Sequence, residues 1–166
     1  MKILVFLQGT ILMHKNAAGK PRDVRVQQSA QREQSVLDYK HYIPIGKSVE
    51  KLREWKRQGA DIVYLSSHVN TEDIRNDNKV LKKYHFPDGE VLFRTKGDTY
   101  KDIAEKIVPD VLIEDDCESI GGEHEMTITY VQSKVRKKIK SIVVKEFSGI
   151  DALPDNIEDL LLFNAS

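Results

Sequence analysis

With a single cysteine, Cys117, the chain can form no internal disulfide, which fits a reducing compartment. Nowhere do apolar residues run for the roughly 18 positions that a membrane span requires. The apolar run at the N-terminus is too short for a signal-peptide core and has no small-residue cleavage site behind it. An excess of charge is missing too, since 26 Lys and Arg stand against 26 Asp and Glu, so no overall field draws the chain to nucleic acid or anionic lipid. No internal repeat, linker or low-complexity tract breaks the pattern. These absences lead us to expect a soluble, cytoplasmic protein with neither membrane nor nucleic acid as a partner. The 166 residues are enough for one domain with an ordinary core.

What is present is a series of short apolar blocks. Ile3 to Leu7 is an unbroken hydrophobic run that stops at Gln8-Gly9-Thr10, as a strand buried on both faces would. Asp61 to Leu65, Glu90 to Arg94, Val111 to Ile113 and Ser141 to Lys145 read as four more strands. Helical patterns separate them. Ser48 can cap a helix with Val49, Leu52 and Trp55 on one stripe, and Gly59 can end it. Asn70 or Thr71 caps the next, whose buried side is Ile74, Leu81 and Tyr84, and Asp98 or Thr99 caps one that runs to about Ile107. Met126 to Lys140 is amphipathic and expected to be helical, although Thr127, Ile128 and Thr129 weaken its start. Pro154 begins a closing helix, with Asp155 and Glu158 spaced like a capping box. Strands alternating with helices predict an α/β fold, a Rossmann-like three-layer sandwich around a mainly parallel five-stranded sheet. All of residues 1–166 are assigned to that one domain. The stretch at about 14–41 has few apolar residues and no sustained period, so it is read as a flap or surface excursion, too short for a sizeable cap, beside an open site.

Three of the predicted strands end in polar residues: Gln8-Gly9-Thr10, Ser66-Ser67 and Glu114-Asp115-Asp116. In a parallel sheet such ends share one edge and converge on one crevice. With Lys96 between the last two, this order resembles the haloacid dehalogenase-like (HAD) hydrolase superfamily, mostly phosphatases and phosphotransferases. That family carries an Asp-x-Asp-Gly-Thr loop after its first strand, a Ser or Thr after its second, then a Lys, then an acidic pair. The resemblance covers Lys2 to about Pro154, and the segment Pro109 to Glu118 is its most specific part. It implies a phosphate cradle of Gly9, Thr10, Ser66, Ser67 and Lys96, with Lys101 as the alternate lysine. It also implies Asp115 and Asp116 as weak metal candidates for Mg²⁺, with Glu114 outside them.

The same resemblance exposes two departures. The family's nucleophilic aspartate falls on Phe6 and its acid/base aspartate on Gln8. A phenyl ring has no lone pair with which to attack phosphorus. A glutamine amide forms hydrogen bonds but does not titrate. Losing a nucleophile typically costs on the order of 10⁴ to 10⁶ in rate, and one Mg²⁺ ligand is lost with it. No residue is therefore assigned a catalytic role. The expectation is a degenerate, capless member of this fold that binds a phosphorylated small molecule or a protein partner. One alternative is a metal-dependent phosphate-ester hydrolase with its chemistry relocated to Asp115 and Asp116. Another is a structural or oligomerising protein with a vestigial crevice.

Other groups have plainer readings. Lys134, Arg136, Lys137, Lys138 and Lys140 make a basic stripe that reads as a solvated helix face. Glu123-His124-Glu125 holds ligand-type residues without a fixed geometry. His14 and His68 flank the expected crevice and read as surface or hydrogen-bonded residues, not catalysts. Cys117, beside three acids, should resist forming a thiolate.

Overall fold

In a computed structural model, residues 1–164 are described. Seven strands form: β1 (Lys2–Phe6), β2 (Leu12–Met13), β3 (Ile43–Pro44), β4 (Asp61–Leu65), β5 (Glu90–Leu92), β6 (Val111–Asp115) and β7 (Lys140–Val144). Helices α1 (Arg22–Ala30), α2 (Ser48–Arg57), α3 (Thr71–Lys83), α4 (Tyr100–Ile107), α5 (Thr127–Tyr130), α6 (Ser133–Arg136) and α7 (Ile157–Leu160) lie between and after them. Five strands make one sheet in the order β5-β4-β1-β6-β7, every pairing parallel. This is the expected Rossmann-like α/β sheet. No described helix is long and apolar enough to cross a membrane.

The alternation of side chains along β1 builds the three layers. Ile3 and Val5 point to one face, where Leu52 and Trp55 of α2, Val80 and Leu81 of α3, and Ile157 and Leu160 of α7 complete a core. Leu4 points to the other, with Ala104 of α4 and Ile128 of α5. Ile3, Leu4 and Val5 are fully buried, as a strand covered on both faces must be. The indole Nε1 of Trp55 donates to Pro154 O at 2.9 Å, so its one polar atom is satisfied inside the core.

Several local readings change. The Met126 to Lys140 segment is not one helix. It breaks into α5 and α6, because Val131 and Gln132 turn extended after the β-branched run. Ser48 is the first residue of α2 and not its cap, and its hydroxyl donates back to Ile45 O at 2.5 Å. The closing helix starts later than Pro154. Asn156 caps α7 by accepting from the Glu158 amide, while Asp155 turns away to pair with Lys51. The third strand of the sheet stops at Leu92, short of Arg94. Asn70 and Thr99 do cap α3 and α4, the latter in a reciprocal capping box with Asp102.

The excursion is ordered. Its root is pinned by β2 pairing antiparallel with β3, and it carries the nine-residue helix α1 with short 3₁₀ turns on either side. Polar contacts hold it, which is why no apolar period announced it. Arg25 donates to Phe147 O and Arg22 to Glu146 O, while buried His14 bonds Gln28.

Candidate functional site

The sheet order reverses at β1, which has β4 on one side and β6 on the other. Chain ends splay apart at such a point and leave a hollow above the C-terminal strand ends. A crevice of about 390 Å³ lies there, lined from all five strand ends and walled on one side by the excursion through Arg32, Leu37 and Tyr39. The site is therefore less open than the sequence suggested.

Phe6 closes β1. It sits on the same face as Leu4, half-buried at the margin of that core, and its ring meets Tyr100 edge-on at 5.0 Å. The adjoining Gln8 amide is locked. Its Nε2 donates to Asp77 Oδ1 at 3.0 Å, and its Oε1 accepts from both the Ser67 amide (2.8 Å) and the Ser67 hydroxyl (3.0 Å).

Gly9 is required by geometry. It has φ +83°, and a Cβ there would lie 2.8 Å from Asp115 Oδ2. That close approach lets the fully buried Thr10 hydroxyl donate to the same oxygen at 2.8 Å, while the Cys117 amide donates to Asp115 Oδ1. The Gly9 amide donates to Leu12 O.

Asp77 on α3 organises the other flank. It is buried and accepts from the Ser66 hydroxyl at 2.5 Å, from Gln8, and from His68 Nδ1 at 2.9 Å. A carboxylate only accepts, so the proton of this pair sits on Nδ1 of His68, whose ring stacks against Tyr39 at 3.9 Å. The sequence reading passed over Asp77. The signal was there, since a charged residue between Ile74 and Leu81 lies on the buried stripe of its helix.

The Gly9 amide and the Thr10, Ser66 and Ser67 hydroxyls thus each already have an acceptor inside the protein. Lys96 is different. It is exposed and does not line the crevice, and neither does Lys101. Two arginines do: Arg32, exposed on the excursion, and, two residues before Lys96, Arg94. Its guanidinium lies over the Tyr100 ring, 4.2 Å from the centroid. Its Nε is buried with no hydrogen-bond partner, and among the described residues Arg94 joins no ion pair.

Three acids close the β6 and β7 side. Glu114 accepts from the Thr127 and Ile128 amides at the start of α5, and burial raises its pKa. Burial likewise raises Asp115 against its hydrogen bonds. Glu146, which the sequence did not flag, accepts twice from Ser119 and is pushed up to about 7, by burial first and then by Asp115 and Asp116. Asp116 behaves oppositely. Although burial works against it, the Glu146 amide, Lys145 (3.1 Å) and Arg22 (3.8 Å) hold its pKa low. Cys117 is pushed up by burial and these carboxylates, so its thiol stays protonated.

This donor set does not suit Mg²⁺, which wants several free oxygens in octahedral order. Both Asp115 oxygens are engaged and Asp116 faces cations. Among the described residues no three His, Cys, Asp or Glu side chains converge as a metal site, the Glu123-His124-Glu125 stretch included.

Fold and crevice together define a parallel α/β protein with a hollow above the C-terminal ends of its strands. No family model matches the chain, and no curated protein does. Solved structures do superimpose on it. A chain of the Pnkp1/Rnl/Hen1 complex matches with a TM-score of 0.54 at 13% identity, over 87% of this chain and 47% of that one. A second structure, of the Pnkp1/Rnl/Hen1 RNA repair complex, gives 0.53 at 14%, over 87% and 43%. This chain thus spans less than half the length of either. The class C acid phosphatase from Bacillus anthracis, with tungstate bound, gives 0.54 at 16% identity, over 89% of this chain and 68% of that one. At these identities the likeness is one of fold, the parallel α/β fold that the strand and helix pattern implied.

Proposed function

We propose that this protein holds a phosphorylated ligand in its crevice without cleaving it. One observation carries the reading. At the end of β1, where the resemblance puts an attacking carboxylate, the Phe6 ring packs against Tyr100. No oxygen is available there to form a bond to phosphorus. The neighbouring Gln8 amide, held by Ser67 and Asp77, neither gives nor takes a proton. Binding is still supported, because Arg94 brings an unpaired guanidinium to the wall, and arginine matches phosphate oxygens with two parallel N–H donors. The rival, metal-bound hydroxide at Asp115 and Asp116, is disfavoured by the hydrogen bonds and cations those carboxylates already have.

The test is incubation with an aryl phosphate and Mg²⁺ or Mn²⁺. We expect no turnover above background. Metal-dependent turnover abolished by Asp115→Ala would establish the rival. The Phe6→Asp, Gln8→Asp double variant should gain Mg²⁺ affinity and slow turnover. If it folds yet binds no Mg²⁺, Phe6 and Gln8 do not occupy the positions assigned to them.

A further inference from the structure

The polarity of the crevice walls narrows the ligand. Five of the chain's twelve Phe, Tyr and Trp side chains line this one hollow: Phe6, Tyr39, Tyr42, Tyr100 and Phe147. That concentration suits a site for a flat apolar body more than a site for a bare anion. Two large apolar side chains stand at its mouth in contact with water, Leu37 at 48% exposure and Ile120 at 64%. Apolar groups left open beside an aromatic-lined hollow are the mark of a surface that buries something.

Charge orients whatever enters. Arg94 and its unpartnered Nε lie against Tyr100 at one end. Glu114, Asp115, Glu125 and Glu146 also line the wall, and beside any of them a phosphate would meet a carboxylate. Of the two cations in the lining, Arg32 is exposed at the rim and Arg94 keeps a buried, unpartnered Nε, so an anionic group is best matched at Arg94.

We infer that the ligand is a small molecule with a monophosphate attached close to an aromatic ring, an aryl or nucleoside monophosphate. Its phosphate would rest on Arg94, and its ring among Phe6, Tyr39 and Tyr100. This rests on the binding reading given above but goes beyond it, since phosphate alone would need no aromatic wall.

Calorimetry on the intact chain with phenyl phosphate, cyclohexyl phosphate and inorganic phosphate separates the possibilities. Phenyl phosphate should bind at least tenfold tighter than inorganic phosphate and several-fold tighter than cyclohexyl phosphate. Arg94→Gln should weaken phenyl phosphate by about tenfold or more, the usual effect of losing hydrogen bonds to a charged group. Leu37→Ser with Ile120→Ser, both at exposed positions, should weaken phenyl phosphate several-fold more than inorganic phosphate. Adenosine monophosphate and phosphotyrosine amide then identify the source, and tight binding of either supports the inference. Equal affinity for phenyl and inorganic phosphate, both lost in Arg94→Gln, would overturn the aromatic assignment and leave phosphate binding standing. Equal affinity for phenyl and cyclohexyl phosphate would overturn it as well. Binding of none of the phosphates would remove both readings together.

Discussion

The two flanks of the crevice spend their polar groups in different ways. On the β4 side a single carboxylate, Asp77, collects hydrogen bonds from Ser66, Gln8 and His68, and no Lys or Arg joins it. On the β6 side Asp115, Asp116 and Glu146 crowd together, and of these three only Asp116 pairs with the nearby cations, Lys145 and Arg22, the latter shared with Glu118. The first flank is a closed network whose stability lies in complete pairing. The second keeps unrelieved repulsion and desolvation, and so carries a dependence on pH. One flank is locked and the other is crowded.

The closed flank should be the more costly to break. Asp77→Ala leaves the Ser66 hydroxyl, the Gln8 amide and His68 Nδ1 without an acceptor in buried surroundings. At 1–3 kcal/mol per orphaned group, and with partial relaxation, a loss of roughly 3–4 kcal/mol is expected. Urea unfolding checks this. A loss under about 1 kcal/mol would mean that the network relaxes freely and that the contrast between the flanks is false.

Gly9→Ala tests the seam between them. A Cβ would take a φ of +83° and stand 2.8 Å from Asp115 Oδ2, so both strain and a clash follow. We expect a loss of about 2–3 kcal/mol. Combining it with Asp115→Ala removes the clash but not the strain. The two substitutions should therefore be non-additive, with a coupling of about 1 kcal/mol. Full additivity would place the whole cost in the backbone.

Much of this architecture was legible in the chain. Short apolar blocks separated by helical patterns gave the five parallel strands, and their polar ends gave the crevice, because period and strand-end chemistry are local properties. The partners within the crevice were not legible. Asp77 reaches Gln8 across 69 positions and Thr10 reaches Asp115 across 105, distances over which no pattern operates. That Arg94 lines the crevice while Lys96 and Lys101 do not was hidden for a related reason. All three follow β5, and only the path of the chain after Leu92 decides which one lines the crevice. The order within the excursion was not legible, because scattered contacts such as the arginine-to-carbonyl bonds, and no regular apolar period, tie it down. The break at Val131 was signalled by β-branched residues, yet amphipathic spacing outweighed them in the reading.

The charged flank should announce itself through pH. The pKa of Glu146 rises from an ordinary 4.5 to about 7 on folding. At low pH the carboxyl is protonated in both states and burial costs nothing. As pH rises past its ordinary value the unfolded chain ionises first, so stability falls until about pH 7 and then levels off. Glu146→Gln removes that penalty. The variant should gain on the order of 2 kcal/mol over the parent at pH 8 and little or nothing at pH 4. Thermal melts across that range decide it. A gain independent of pH would show that packing, and not ionisation, sets the difference.

Lys145→Ala gives the smallest effect and bears on the only relieved charge of that flank. Lys145 is 71% exposed where it meets Asp116, so solvent screens most of the pair. Arg22 and the Glu146 amide also remain to hold the carboxylate. A loss of about 0.5 kcal/mol is expected at low ionic strength, shrinking as salt is added. The low pKa of Asp116 fixes the sign of the pH dependence. Its contribution is present above the ordinary carboxylate range and disappears as pH falls through its folded value, the reverse of Glu146. The cost of Lys145→Ala should therefore vanish in acid. If it instead persisted in acid and in high salt, Lys145 would act through the packing of its alkyl stem, and the crowded flank would lack the relief that Asp116 alone enjoys.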